Sequence, residues 1–190
     1  MDRLKTYEAL LKKWNPTINL VAKSTLEDAW TRHFLDSAQI YDLALRDVDH
    51  WADLGSGGGF PGMVIAIIAM EKTNPIRVTL VESDIRKCTF LRSVARETDT
   101  KVDIIAKRIE DCDPLAADVL SARALSDLSN LLEFADQHLT TTGEALFMKG
   151  ASWRKEVENA QRTWRFRHQV ATSRTKDGPA ILRISGVSRA

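Results

Sequence analysis

Apolar residues recur every three or four positions near the start of the chain and every second position further on. Leu4, Tyr7, Leu10, Leu11 and Trp14 form one stripe, which predicts an amphipathic helix over 3–14. Asn15-Pro16 is expected to end it, because the residue before a proline is pushed out of the helical region. A second helix is predicted from Ser24 or Thr25, with Glu27 and Asp28 in its first turn, through Trp30, Phe34 and Ile40 to about Leu45. From residue 50 the rhythm changes. Strands are predicted at Trp51–Leu54, Val78–Glu82, Val102–Ala106, Val119–Ala122 and Ala145–Met148. Helices are predicted between and after them at Pro61–Ala69, Ile85–Glu97, Leu125–His138 and Trp153–Thr163. Phe166–Thr172 and Ala180–Ser185 flank the turn Lys176-Asp177-Gly178-Pro179 and read as a closing antiparallel hairpin. The sum is an α/β fold with a mostly parallel, seven-stranded sheet and helices on both faces. Residues 1–48 form a helical extension and 49–190 one structural unit, with ligands expected at the carboxyl ends of the strands.

Composition narrows the class. The chain of 190 residues is 44% hydrophobic and 28% charged, ordinary for a globular domain. No apolar run approaches the roughly 20 residues that span a bilayer. Met1-Asp2-Arg3-Leu4-Lys5 is polar and does not read as a signal peptide. Cys88 and Cys112 lack metal-site spacing and read as half-buried thiols of a reducing cytoplasm. No metal site is expected. The net charge of +1 is unevenly spread: Lys149 to Ala190 holds ten bases against three acids. Such a basic end fits contact with a polyanion, or else solvated faces of helix and strand.

The candidate chemistry lies in Asp53-Leu54-Gly55-Ser56-Gly57-Gly58-Gly59-Phe60-Pro61-Gly62. It reads as a strand running into a glycine turn and then a helix, with Pro61 at the first helical position and free N–H groups facing a ligand. The pattern G-x-G-x-x-G also suits a dinucleotide, but too little chain is left for the second domain of a dehydrogenase. The order Asp53-x-Gly55-x-Gly57-x-Gly59 suits S-adenosylmethionine better. The backbone at Gly55, Ser56, Gly57 and Gly59 would wrap its amino-acid part, with Asp53 acting through water or backbone near its ammonium. Glu82, ending the second strand, is placed to accept from both ribose hydroxyls, or else to cap the next helix. After the third strand, Ile109 offers an apolar face and Glu110 a polar edge to adenine. Glu110 also reads as a solvated helix-start acid.

With these pieces the chain resembles the small-subunit ribosomal RNA guanine-N7 methyltransferase family known as RsmG or GidB. The resemblance runs nearly end to end: Trp14-Asn15, Asn19-Leu20, Arg32 to Ser37, the glycine loop with Phe60-Pro61-Gly62, and Leu80 to Ser83. It continues through Phe90-Leu91, Arg108-Ile109-Glu110, Ala122-Arg123-Ala124 and Lys149-Gly150, with Arg86-Lys87 where the family usually has two adjacent bases. Ile109 departs from the family, which usually has alanine there, and still offers adenine an apolar wall. The resemblance implies a Rossmann-like class I methyltransferase fold that uses S-adenosylmethionine and releases S-adenosylhomocysteine. The implied acceptor is N7 of one guanine in 16S rRNA, met as naked RNA or in the small ribosomal subunit. It also implies cofactor contacts at Gly55, Phe60, Ile109, Glu110 and Arg123.

Guanine N7 carries a free lone pair, so in-line displacement asks for positioning more than for acid–base catalysis. Arg123, just past the fourth strand, is placed to hold the cofactor carboxylate or stack on guanine, or else to pair with an acid. His33 and Asp36 are candidates to line the pocket, or else a pair on one helix face. Asn15 and Asn19 read equally as turn and cap residues. Lys149, Arg165 and Arg167 are candidates for phosphate contact, with a surface lysine the plainer reading of Lys149. Trp153 and Trp164 read as packing residues. A small-molecule methyltransferase and a non-catalytic cofactor-binding module of ribosome assembly stand as alternatives, and a monomer is expected.

Overall fold

The computed structural model describes residues 1–44, 47–71 and 76–190. Seven strands form one sheet: β1 (His50–Leu54), β2 (Arg77–Val81), β3 (Asp103–Ile105), β4 (Ala117–Arg123), β5 (Leu139–Lys149), β6 (Trp164–Thr172) and β7 (Ala180–Arg189). Their order is β3-β2-β1-β4-β5-β7-β6. The first five run parallel, and β7 pairs antiparallel with both β5 and β6. This is a Rossmann-like α/β fold.

Alternation along each strand sorts side chains into two cores. Trp51, Val78, Leu80, Val119 and Leu146 face one layer, with α1 (Asp2–Ile18), α3 (Gly62–Ala69) and α4 (Ile85–Glu97). Ala52, Leu54, Leu120, Ala145 and Phe147 face the other, with α5 (Leu128–His138) and α6 (Trp153–Ala160). Every residue of β1 is buried, as a strand covered on both faces demands. Asp84 caps α4 by accepting from the amides of Arg86 and Lys87 at 2.8 and 3.3 Å, so the cap is Asp84 and not Glu82.

Several local expectations change. Pro16 does not end α1, which continues to Ile18 and stops where Asn19 turns left-handed at φ 51°. A proline in the last turn forfeits only one hydrogen bond, while Asn15 and Ile18 extend the buried stripe of Tyr7 and Leu11. Asn15 Oδ1 then accepts from Val21 N at 2.8 Å, a turn role. The second predicted helix is broken into a 3₁₀ turn at Lys23–Thr25, a π-helical turn at Trp30–Leu35, one turn of helix α2 (Asp36–Ala38) and a 3₁₀ turn at Tyr41–Leu43. The wider π turn buries the consecutive His33 and Phe34 together. Its expected end at Leu45 falls outside the described residues. Pro61 occupies the cap position, so α3 begins at Gly62. Helix α5 begins at Leu128, capped by Asp127, which leaves 124–127 free to build a wall of the site.

Candidate functional site

The carboxyl ends of β1, β2 and β4 open into a pocket of about 800 Å³, within the range of small-molecule sites. One wall is the glycine loop. Gly55 sits at φ 63°, and a Cβ there would come 2.5 Å from Leu125 Cδ1. Gly59, at φ 89°, lies against the Tyr7 hydroxyl. That hydroxyl, carried in by α1, donates to Gly58 O, so the extension pins the loop from behind. The expectation of free N–H groups at the helix start is corrected: Met63 N donates to Gly59 O, and the Gly62 amide lies near Asp53 beneath the loop. Ser56 N donates to Val81 O, and Gly59 N and Phe60 N donate to Ser56 O. Gly57 N donates to Glu82 Oε2 at 2.8 Å. The loop is therefore shaped by its own hydrogen bonds.

Glu82 is buried and holds two segments together, since its Oε1 also accepts from Asp84 N at 2.8 Å. Each carboxylate oxygen retains a lone pair for a ligand. Beneath the loop, Trp51 Nε1 donates to Ser121 Oγ (2.9 Å), which donates to Asp53 Oδ1 (2.7 Å). Burial pushes the Asp53 carboxyl up to about 6, against hydrogen bonds from Ser121 and Ser56 that favour its charge. Its Oδ2 has no partner at hydrogen-bond geometry among the described residues, although the Gly62 amide is near enough to favour the charge. Asp53 thus lies under the loop and does not line the pocket.

The opposite wall is assembled from distant segments. Arg123 places Nη1 3.5 Å from Asp36 Oδ2 and 3.2 Å from Arg32 O. Its Cζ stands 5.1 Å from the centre of the Phe60 ring. Burial lowers its pKa and Asp36 opposes that. Asp36 also accepts from Gln39 Nε2 (2.8 Å), Thr175 Oγ1 (2.6 Å) and Ser173 Oγ (3.3 Å). Phe60 stacks with Tyr7 and lies 5.1 Å from the His33 ring. His33 is buried, and its pKa is lowered to about 4 by desolvation and then by Arg123 and Arg32. Thr25 Oγ1 spends its proton on Ala22 O, so it accepts from His33 Nε2 at 2.7 Å. The ring is neutral, and Nδ1 has no hydrogen-bond partner among the described residues.

The structure brings Gly55, Ser56, Gly57, Phe60, Glu82, Ile109, Glu110, Arg123, His33 and Asp36 to the pocket lining. Gly59 lies behind, buried against Tyr7. Ile109 is buried, and Glu110 sits exposed beside Arg108 at 3.8 Å. Lys149 is corrected: it is neither a surface lysine nor free for phosphate. Its Nζ lies 2.6 Å from Glu156 Oε2 and donates to Ser126 O at 2.7 Å. Glu156 Oε2 also accepts from Leu128 N, so the pair clamps the turn that follows Arg123. Arg165 and Arg167 are exposed on β6, level with Ser188 and Ser185 and hence with the starts of β4 and β1. They lie at the far edge and the opposite end of the sheet, on the order of 20 Å from the pocket by strand spacing. Of the other bases at this end, Arg183 pairs with Glu144 and Arg189 with Glu133.

Sequence reasoning missed Tyr7 as the loop's pin, Ser121 under Asp53, and the turn 173–175 on Asp36. Tyr7 showed only as one apolar position of a stripe, and no local pattern marks the other two. No group of His, Cys, Asp or Glu among the described residues is placed to hold a metal ion.

Comparison with known proteins follows the same lines. A family model described as rRNA small subunit methyltransferase G matches residues 1–179. Ribosomal RNA small subunit methyltransferase G of Ruegeria sp. (strain TM1040) is 52% identical over 189 residues, covering 100% of this chain and 92% of its own. The protein of that name from Rhodospirillum centenum is 47% identical over 188 residues, 99% of this chain and 85% of its own. Among solved structures, a ribosomal protein L11 methylase from Lactobacillus delbrueckii superposes with a TM-score of 0.60 at 18% identity, over 79% of this chain and 76% of that one. An S-adenosylmethionine-dependent O-methyltransferase from Thermotoga maritima gives 0.61 at 16% identity, over 82% and 66%. At such identities the two structures speak for the fold.

Proposed function

The chain belongs to the family of rRNA small subunit methyltransferase G, and from that premise we propose that it methylates N7 of one guanine in 16S rRNA. It is an S-adenosylmethionine-dependent methyltransferase of small-subunit rRNA. The observation that carries the site assignment is Glu82, a buried carboxylate that joins the glycine loop to the start of α4 at the lip of the pocket.

The residues present fit the cofactor. Glu82 has lone pairs left for two ribose hydroxyls, and Gly55, at positive φ with Leu125 too close for a Cβ, keeps main chain on this side of the pocket. Ile109 would offer the adenine an apolar face and Glu110 would meet its edge. When bound, S-adenosylmethionine supplies an electrophilic methyl group, and S-adenosylhomocysteine remains. The chain's own part is orientation. Guanine N7 presents a lone pair without losing a proton, so no general base is needed. His33, with its pKa lowered to about 4, is a weak base, which agrees with that. Arg123, fixed by Asp36 and Arg32 O against Phe60, supplies the positive charge of the far wall, suited to a carboxylate or to the face of the base. Residues 1–48 act as the extension that closes this wall, and 49–190 carry the cofactor. We take the protein to act as a monomer, and a ribosomal RNA substrate supports a cytoplasmic location.

The test is methyl transfer from radiolabelled S-adenosylmethionine to unmethylated small subunits and to their naked RNA, with the modified base mapped by cleavage at N7-methylguanine. Label at one guanine is expected. Cofactor binding with no label in either substrate would overturn the acceptor and favour a small molecule.

A further inference from the structure

The hairpin turn between β6 and β7 alternates in a way the pocket explains. Ser173 and Thr175 are half-buried and turn inward to Asp36, while Arg174 and Lys176 are exposed. The anchoring is extensive. Thr175 Oγ1 donates to Asp36 Oδ1 at 2.6 Å, Arg174 N donates to Gln39 Oε1 at 2.9 Å, and Gln39 Nε2 donates back to Asp36 Oδ1 at 2.8 Å. The other oxygen of Asp36 faces Arg123 in the pocket wall. One carboxylate therefore fixes both the arginine inside the pocket and the turn that carries two bases outside it.

We propose that Arg174 and Lys176 grip the phosphates flanking the target guanine, with Asp36 and Thr175 as positioning residues that hold the grip in register with the pocket. The inference rests on the reading that a guanine of RNA enters this pocket. A base drawn out of structured RNA needs its flanking backbone held. Cations on a turn anchored to the pocket wall serve that end, whereas Arg165 and Arg167 sit at the other end of the sheet. Arg32, whose carbonyl holds Arg123, lines the same side of the mouth and adds a third positive charge.

The test is binding of 16S rRNA across a range of salt, by filter retention, for the wild type, an Arg174→Gln/Lys176→Gln variant and an Arg165→Gln/Arg167→Gln variant. Each phosphate contact contributes about 0.7 to 0.9 to the slope of log affinity against log salt. The first variant is expected to lose about 1.4 to 1.8 of that slope and to raise KM for RNA roughly tenfold. Its calorimetric affinity for S-adenosylmethionine stays at the wild-type value, and the second variant keeps the wild-type slope. Thr175→Val keeps both charges, so its slope holds while kcat/KM for RNA falls, and Thr175→Ser restores it. An unchanged slope in the first variant, or the loss appearing in the second, overturns the proposal. A wild type that binds cofactor yet labels no rRNA overturns the underlying reading instead.

Discussion

The two walls of the pocket are built by different means. The wall from Gly55 to Phe60, with Glu82, comes from one βαβ unit, and its shape is set by main-chain hydrogen bonds. The wall opposite combines His33 and Asp36 from the extension, Arg123 from the end of β4, and the hairpin turn, joined through charged and hydroxyl side chains. The first wall holds its form whatever most of its side chains are, provided glycine stands where φ is positive. The second exists only while its particular side chains do. A cofactor common to many acceptors suits a wall made of backbone. An acceptor peculiar to one enzyme suits a wall that side-chain substitution can rewrite.

Glu82 and Tyr7 are the exceptions on the first wall, because there side chains bind the backbone, and Glu82 alone faces the pocket. Glu82→Ala leaves the amides of Gly57 and Asp84 without their charged acceptor and removes the candidate ribose contact. Hydrogen bonds to a charged group contribute about 1.5 to 3 kcal/mol each. Affinity for S-adenosylmethionine is expected to fall roughly 10³-fold by calorimetry, the largest of the effects considered. Retained affinity would show that the backbone alone shapes this wall.

On the second wall the matching exception is remote. Lys149→Met strands Glu156 and frees Ser126 O, both of which restrain the turn after Arg123. Breaking this partly buried pair from one side costs up to about 3 kcal/mol, or at most roughly 6 to 12 °C in melting temperature at this size. Urea or thermal denaturation reads this directly. The salt slope of RNA binding is expected to stay at the wild-type value, since Lys149 touches no phosphate. A lowered slope with unchanged stability would restore the phosphate role.

Lys149 also marks where sequence reading stops. The sheet, its strand count and the closing hairpin follow from alternation and turn residues, and Ile85–Glu97 matches α4 end to end. The glycine loop and Glu82 were legible because their partners are near in sequence and the strand–loop–helix rhythm places them. A basic residue at the end of β5 carries no local mark of its partner, and Glu156 reaches it only through the packing of α6. Asp36 likewise meets Thr175 across most of the chain. Pro16 and the broken second helix failed for another reason, since burial of Asn15, Ile18, His33 and Phe34 outweighed local preference. Part of the charge excess at the carboxyl end is absorbed by ion pairs to β5, α5 and α6.

The smallest effect separates the walls by sign. Asp53, under the first wall, has its pKa raised to about 6 by burial. The unfolded carboxyl titrates near 3.9, so between about pH 6 and 4 the folded state binds the proton better and acidification stabilises it. His33, in the second wall, has its pKa lowered to about 4 by desolvation and neighbouring arginines. Its unfolded ring titrates near 6.5, so between about pH 6.5 and 4 the unfolded state takes the proton first and acidification destabilises the fold. The two slopes oppose each other in the wild type. Urea denaturation at pH 7 and 4.5 is expected to show His33→Gln gaining about 2 kcal/mol relative to the wild type on acidification. Asp53→Asn should lose a similar amount relative to the wild type over the same interval, because its remaining partner slope is that of His33. A double variant should return near the wild-type difference. If the single variants track the wild type at both pH values, the two buried groups do not carry opposite proton linkage, and the contrast between the walls is one of construction alone.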